Sequence, residues 1–149
     1  MKAPTLGSRQ RQRGAAAVEF ALIAMLLFTL LIGIMEFGRI SYYWNAATEA
    51  TRLGARLAVV CDMGDETIKT RMTALFPVLN ADQIAIEYSP QGCASTTCRQ
   101  ISVTINAPDE LKTYIPGFDM KAKFPPFKTT LPRESMSSTF GGMENPACL

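Results

Sequence analysis

Apolar and polar positions divide this chain into three regimes. From Ala15 to Met35 there are 21 residues in which Glu19 is the only charge, and Phe20 through Met35 carry none. A helix rises about 1.5 Å per residue, so the run matches the roughly 30 Å hydrocarbon core of a bilayer. A secretory signal has an apolar region of only about 7–15 residues ending in a small-residue cleavage site. Here the run passes directly into further helical sequence, so it is expected to remain as an anchor. In the second regime the apolar residues thin to a stripe: Phe37, Ile40, Tyr43 or Trp44, Ala47, Ala50, Gly54, Leu57 and Cys61. That period, about 3.5 residues, predicts a helix unbroken to about residue 61 and roughly 70 Å long from Ala15. Small residues at 46, 47, 50, 54, 55 and 58 let a second backbone, or the chain's own head domain, approach closely.

Asp62, Gly64 and Asp65 break this helix. Asp65 is suited to cap a second one over about Glu66–Leu79, with Ile68, Met72 and Leu75 on its buried face and Pro77 a blemish near its end. The third regime alternates. Ile84, Ile86 and Tyr88, then Ile101, Val103 and Ile105, predict two half-buried strands. The polar loop between them is too short for a crossover, which makes the pair an antiparallel hairpin. Pro108, Asp109 and Glu110 suit one helical turn, and a last strand is expected within 127–139, broken or held to an edge by Pro132. The tail from Gly141 is expected to be mobile except where a cysteine ties it down. The predicted class is α+β: a long N-terminal helix, a short helix and a three-stranded antiparallel sheet. Its divisions are a basic leader (1–14), a transmembrane helix (15–35), the continuation of that helix (36–62), a small domain (63–140) and a tail (141–149).

Charge orients this plan. Net charge is +2, but Lys2, Arg9, Arg11 and Arg13 make the first fourteen residues wholly basic, and the remainder holds 11 basic and 13 acidic side chains. The positive-inside rule keeps such a leader in the cytoplasm and puts everything after about residue 36 outside. Arg39, Tyr42, Tyr43 and Trp44 form a candidate interfacial belt, and Glu36 with Arg39 and Glu49 with Arg52 are ordinary helix-surface pairs. A mildly acidic body gives no electrostatic support to nucleic-acid binding.

Glu19 sets the functional reading, because an intramembrane carboxylate is costly enough to be a functional candidate by default. The bland account makes it a first-turn acid favoured by the helix dipole. The sharper one notes that it stands five residues past Gly14, at the junction of leader and apolar run. That junction resembles the class III signal of type IV prepilins. The resemblance implies that a dedicated peptidase cuts between Gly14 and Ala15, leaving Glu19 fifth in the mature chain. The new ammonium and the carboxylates of staggered neighbouring helices then neutralise one another in a low dielectric. Glu19, with Phe20 beside it, would set subunit register.

The stretch 14–58 is similar to the TadE-like family of the tight-adherence (Tad/Flp) pilus system. The matching pieces are Ala17–Leu22 (AVEFAL), Glu36–Arg39 (EFGR), and Arg52, Gly54, Ala55 and Arg56. The proline that many members carry near Met25 is missing, and Thr51 stands in place of an alanine of the second motif; neither departure touches the cleavage residues. The resemblance implies a pilin-like minor pilin or pseudopilin. Its partners would be prepilin peptidase, other tight-adherence pilins and pseudopilins, the inner-membrane assembly platform and membrane lipid, with no nucleic acid or small-molecule substrate. Candidate helix-packing positions are Phe37, Gly38, Ala47, Ala50, Gly54 and Ala58. The alternative is an unprocessed single-pass scaffold with a periplasmic interaction domain.

Four cysteines suit an exported domain. Cys93 with Cys98 would staple the hairpin loop, and Cys61 with Cys148 would fasten the tail to the end of the long helix, although four cysteines allow three connectivities. A zinc site would need all four thiolates, because histidine is absent, and the spacing is a weak match to known sites. No cofactor is expected. Catalysis is poorly served too: no nucleophile elbow, phosphate loop or Cys/His pair occurs. Asp109–Glu110 and Asp65–Glu66 read as solvation and capping, and Ser95, Ser135, Ser137 and Ser138 have no histidine to activate them. The expected role is assembly, not enzymatic chemistry.

Overall fold

A computed structural model describes residues 8–106, 111–112, 121–122 and 126–149. The helical turn expected at Pro108–Glu110 lies outside the described residues, as does Lys2. The fold is α+β: a long apolar N-terminal helix, a short helix and a three-stranded antiparallel sheet. The chain divides into two compact units, one ending at Ile40 and the other starting at Ser41.

Helix α1 runs Ser8–Val60. In the second unit its residues Ala47, Ala50, Ala55, Leu57, Ala58 and Val59 are buried in one core with the sheet. The stripe of small side chains is what permits this. A Cβ on Gly54 would overlap the Met72 sulfur of the next helix.

The last carbonyls of a helix have no partners within it. Here the Met136 N–H donates to the Val59 carbonyl (3.1 Å) and the Ser137 N–H to that of Val60 (2.9 Å), with the Ser135 hydroxyl also on Val60 (3.2 Å). Met136 adopts φ 46, unusual without glycine, and its side chain is buried in the core. Its backbone closes α1 while its side chain fills the interior.

Gly64, at φ 79, turns the chain into α2 (Glu66–Leu75), and its N–H donates to the Tyr88 hydroxyl at 3.2 Å. Asp65 caps α2 by accepting from the Thr67 N–H at 2.9 Å. Helix α2 is shorter than the apolar spacing predicts, and Leu75, assigned to its buried face, is 45 % exposed. Pro77 accounts for both differences: it disfavours helical geometry at the preceding residue, and Phe76 is accordingly out of the helix at φ −128, ψ 85. Phe76 and Leu79 then enter the core in place of Leu75.

The sheet has β1 (Ile84–Ser89), β2 (Gln100–Ile105) and β5 (Phe127–Pro132) in the order β1-β2-β5, all antiparallel. Its register aligns three inward rows: Ile84, Ile105 and Phe127; Ile86, Val103 and Thr129; Tyr88, Ile101 and Leu131. Alternation puts the other residues of each strand on the opposite face, where Ser102 bonds Thr130 and Lys128 pairs with Glu87. Pro132 ends β5, which lies at the sheet edge where a missing N–H is tolerated.

Two short ribbons were not anticipated: β3 (Leu111–Lys112) with β4 (Lys121–Ala122), and β6 (Thr139–Phe140) with β7 (Met143–Glu144). The segment from Gly141, expected to be largely mobile, is built into the β6–β7 hairpin and a 3-10 turn over Pro146–Cys148.

Candidate functional site

The candidate site is the apolar part of α1 and the junction that leads into it. Gly14 lies within the helix, where glycine costs about 1 kcal/mol relative to alanine. A Cβ placed there would meet nothing within 4 Å, so no packing among the described residues calls for a glycine. Ala15, Glu19 and Phe20 are likewise exposed, and among the described residues no side chain pairs with Glu19.

Glu19 lies beyond the first turn of the untrimmed helix. Helix α1 begins at Ser8 and its first turn holds no acid. The dipole acts within the first turn and has little reach at Glu19.

From Val18 to Phe37 the large apolar side chains stand exposed. Leu22, Met25, Leu26, Leu30, Ile34 and Phe37 border a shallow apolar trough floored in part by Gly33, which has nothing within 4 Å of its Cβ position. Thr29, the polar residue in that lining, returns its hydroxyl to the Met25 carbonyl at 2.8 Å, so the helix satisfies it internally. Among the described residues one helix is long and apolar enough to cross a membrane, with a mean hydropathy of 2.5 over its best 18-residue window, none of it buried. This surface suits lipid or another helix far better than water.

The expected packing positions divide between the two units. Ala47, Ala50, Gly54 and Ala58 are occupied by the chain's own head domain, whereas Phe37 and Gly38 are exposed. The aromatic belt divides as well: Tyr43 packs on Phe76 with ring centroids 5.9 Å apart, and Trp44 meets Phe127 edge-on at 5.1 Å, while Tyr42 remains 60 % exposed. Glu36 and Arg39 form a two-pronged ion pair and Glu49 pairs with Arg52.

Cys61 is bonded to Cys148 and Cys93 to Cys98. The carboxylate of Asp65 and the sulfurs of Cys61 and Cys148 lie within 4.8 Å of one another, but both sulfurs are committed to the disulfide and offer no thiolate. Asp65 also accepts from the Ser138 hydroxyl at 3.2 Å. Its bond from the Thr67 amide, helped by the Thr67 hydroxyl and Ser138, holds its carboxyl below the usual carboxylate range against a small opposing effect of burial. The arrangement is a structural clasp joining the end of α1, the start of α2 and the tail.

Two groups escaped the sequence reading. Thr51 is buried, donates to the Thr48 carbonyl at 2.8 Å and accepts from Thr129 at 3.2 Å. Its only sequence signal was a hydroxyl among alanines on the buried stripe. Phe140 and Met143 flank a Gly-Gly pair, which is a hairpin signal that was passed over.

A family model described as TadE-like protein matches residues 14–56. The match coincides with the quoted motifs and covers less than a third of the chain. No curated protein and no solved structure matches.

Proposed function

We propose that this chain, whose apolar helix matches the TadE-like family model, is a minor pilin or pseudopilin of tight-adherence pilus biogenesis. The observation that carries the reading is the helix surface from Val18 to Phe37, left uncovered although the rest of the chain has a packed core of its own. Lys2, Arg9, Arg11 and Arg13 retain the leader in the cytoplasm, and the following domain crosses to the periplasm. Prepilin peptidase removes the leader between Gly14 and Ala15. Gly14 supports this step because it weakens the helix and serves no packing.

Cleavage leaves an ammonium on Ala15, four residues from Glu19. In hydrocarbon neither charge is tolerated alone, so Glu19 of one subunit neutralises the terminus of a neighbour and fixes their stagger. Phe20, Phe37 and Gly38 belong to the packing surface of the same helix. Other pilins and pseudopilins and the inner-membrane assembly platform are the proposed partners. The head acts through binding, without catalysis, cofactor or resident metal.

One observation favours the second reading, an unprocessed membrane scaffold: α1 starts at Ser8, so the Gly14–Ala15 bond lies inside a helix and must unwind to enter a peptidase. Intact mass and N-terminal residue, measured on protein from native membranes with and without the peptidase, separate the two. A peptidase-dependent N-terminus at Ala15 is the expected result; retention of Met1–Gly14 in both strains establishes the scaffold.

A further inference from the structure

Every disulfide is made from two thiols, so the chain passes through a reduced state before Cys61 and Cys148 are joined. What surrounds those sulfurs decides how that state behaves. The tail is held to the end of α1 by bonds other than the disulfide. The Met136 and Ser137 N–H groups donate to the Val59 and Val60 carbonyls (3.1 and 2.9 Å), the Asp62 N–H donates to the Ser138 hydroxyl (3.0 Å), and that hydroxyl donates to Asp65 (3.2 Å). Each cysteine also sits on a local frame of its own. The Cys61 N–H donates to the Leu57 carbonyl (2.8 Å), continuing the helical pattern, and the Cys148 N–H donates to the Asn145 carbonyl (2.9 Å) in a 3-10 turn that the Asn145 side chain caps. Opening the sulfur–sulfur bond therefore leaves two thiols in one clasp, on Cα atoms that stand 5.6 Å apart.

A third donor stands beside them. A carboxylate oxygen of Asp65 and the two sulfurs lie within 4.8 Å of one another. Around one tetrahedral zinc, with Zn–S near 2.3 Å and Zn–O near 2.0–2.2 Å, two thiolates and a carboxylate stand about 3.6–3.8 Å apart, a spacing that side-chain rotation within the clasp can supply. The carboxylate is already aimed, since the Thr67 N–H fixes one oxygen (2.9 Å) and the Ser138 hydroxyl the other. Charge favours a cation here as well. Cys61 follows the last turn of α1, the negative end of its dipole, and Asp65 adds a full negative charge; two buried thiolates in that place need a cation between them. The cysteine spacing gave little sign of this because the third donor comes from the start of α2.

We propose that the reduced precursor binds a divalent ion of the zinc class through Cys61, Asp65 and Cys148, and that metal and disulfide are mutually exclusive fasteners of the tail. Three protein ligands leave the fourth tetrahedral position to water. Binding releases the two thiol protons to solvent. Oxidation by a disulfide donor then forms the Cys61–Cys148 bond, leaves the donor's two sulfurs as thiolates and expels the ion. The ion is a transient occupant of the precursor, and the finished domain keeps none. This inference stands apart from the pilin reading.

The test uses the full-length, detergent-solubilised chain carrying Cys93→Ser/Cys98→Ser, so that a single pair of thiols responds. A water-soluble phosphine reduces the remaining disulfide; it takes the oxygen of one water, and the two hydrogens end on sulfur. Cadmium ion, a spectroscopic stand-in for zinc, should then bind at one per chain with a sulfur-to-metal charge-transfer band in the ultraviolet. Asp65→Asn keeps a capping side chain but should weaken binding about tenfold or more. Zinc ion should restore the tail's resistance to limited proteolysis in the reduced parent but not in reduced Asp65→Asn. No charge-transfer band, an affinity unchanged by Asp65→Asn, or a tail that zinc does not protect overturns the inference. Circular dichroism is read on the same samples, and a chain that unfolds on reduction without refolding in zinc overturns it too.

Discussion

Gly14 and Gly54 are both helical glycines, but only Gly54 has a packing reason to be one. At Gly54 the Met72 sulfur occupies the space of a side chain, so Gly54→Val is expected to cost about 1–3 kcal/mol, read as a lower urea midpoint of the detergent-solubilised protein. At Gly14 that space is open. Gly14→Leu should leave the midpoint unchanged while blocking leader removal; normal trimming of this variant would end the prepilin assignment. Glu19→Ala separates recognition from assembly: its leader should be removed, yet piliation should fall, whereas full piliation would reduce Glu19 to a tolerated helix-surface acid. Thr51 gives a further residue-level case. It departs from the alanine of the family motif, and its hydroxyl links α1 to Thr129 of the sheet. Thr51→Val strands the Thr129 hydroxyl in a half-buried place and should cost about 1–2 kcal/mol, with Thr51→Val/Thr129→Val costing less than the sum of the singles in a double-mutant cycle.

At the scale of elements, periodicity predicted types better than ends. The outer part of α1 and strands β1 and β2 follow their apolar spacing directly, because one face of each has to be buried. The end of α2 was misplaced because the pattern Ile68, Met72, Leu75 continues formally towards Leu79, while the proline at 77 acts one residue earlier, at Phe76. Its start was legible, since Asp65 is a capping residue and does cap. The folded Asp65 carboxyl sits below its unfolded value near 4, so its contribution is fully present above about pH 4 and is lost as pH falls through the folded value. Acid unfolding of Asp65→Asn should therefore show a weaker pH dependence below pH 4 than the parent, measured as stability against pH.

On the scale of the whole molecule, the clasp at the end of α1 joins residues far apart in sequence. Cys61 and Cys148 are separated by 87 positions, so their bond restricts the unfolded chain more than the local Cys93–Cys98 staple does, by about 4–5 against 2 kcal/mol in the chain-entropy account. Cys61→Ser/Cys148→Ser is expected to lower the unfolding midpoint more than Cys93→Ser/Cys98→Ser and to expose the tail to limited proteolysis; equal effects would mean that backbone capping of Val59 and Val60 holds the tail unaided.

The sequence by itself determined the long apolar helix, the single carboxylate within it, the short helix and the alternating strands, because each is a local consequence of spacing and burial. The junction at Gly14 and Glu19 was legible for the same reason: a glycine and a charge stand out against an apolar run. Tertiary structure decided what the stripe beyond residue 41 packs on, how the cysteines pair, and why Met136 and Thr51 are buried. It also ordered the tail against α1, turning an apparent terminus into a hairpin that presents Phe140 and Met143. The turn of that hairpin has a local signal in Gly141–Gly142, but the other outcomes, and the fastening of the hairpin itself, depend on groups brought together from distant parts of the chain, for which no local spacing carries a signal.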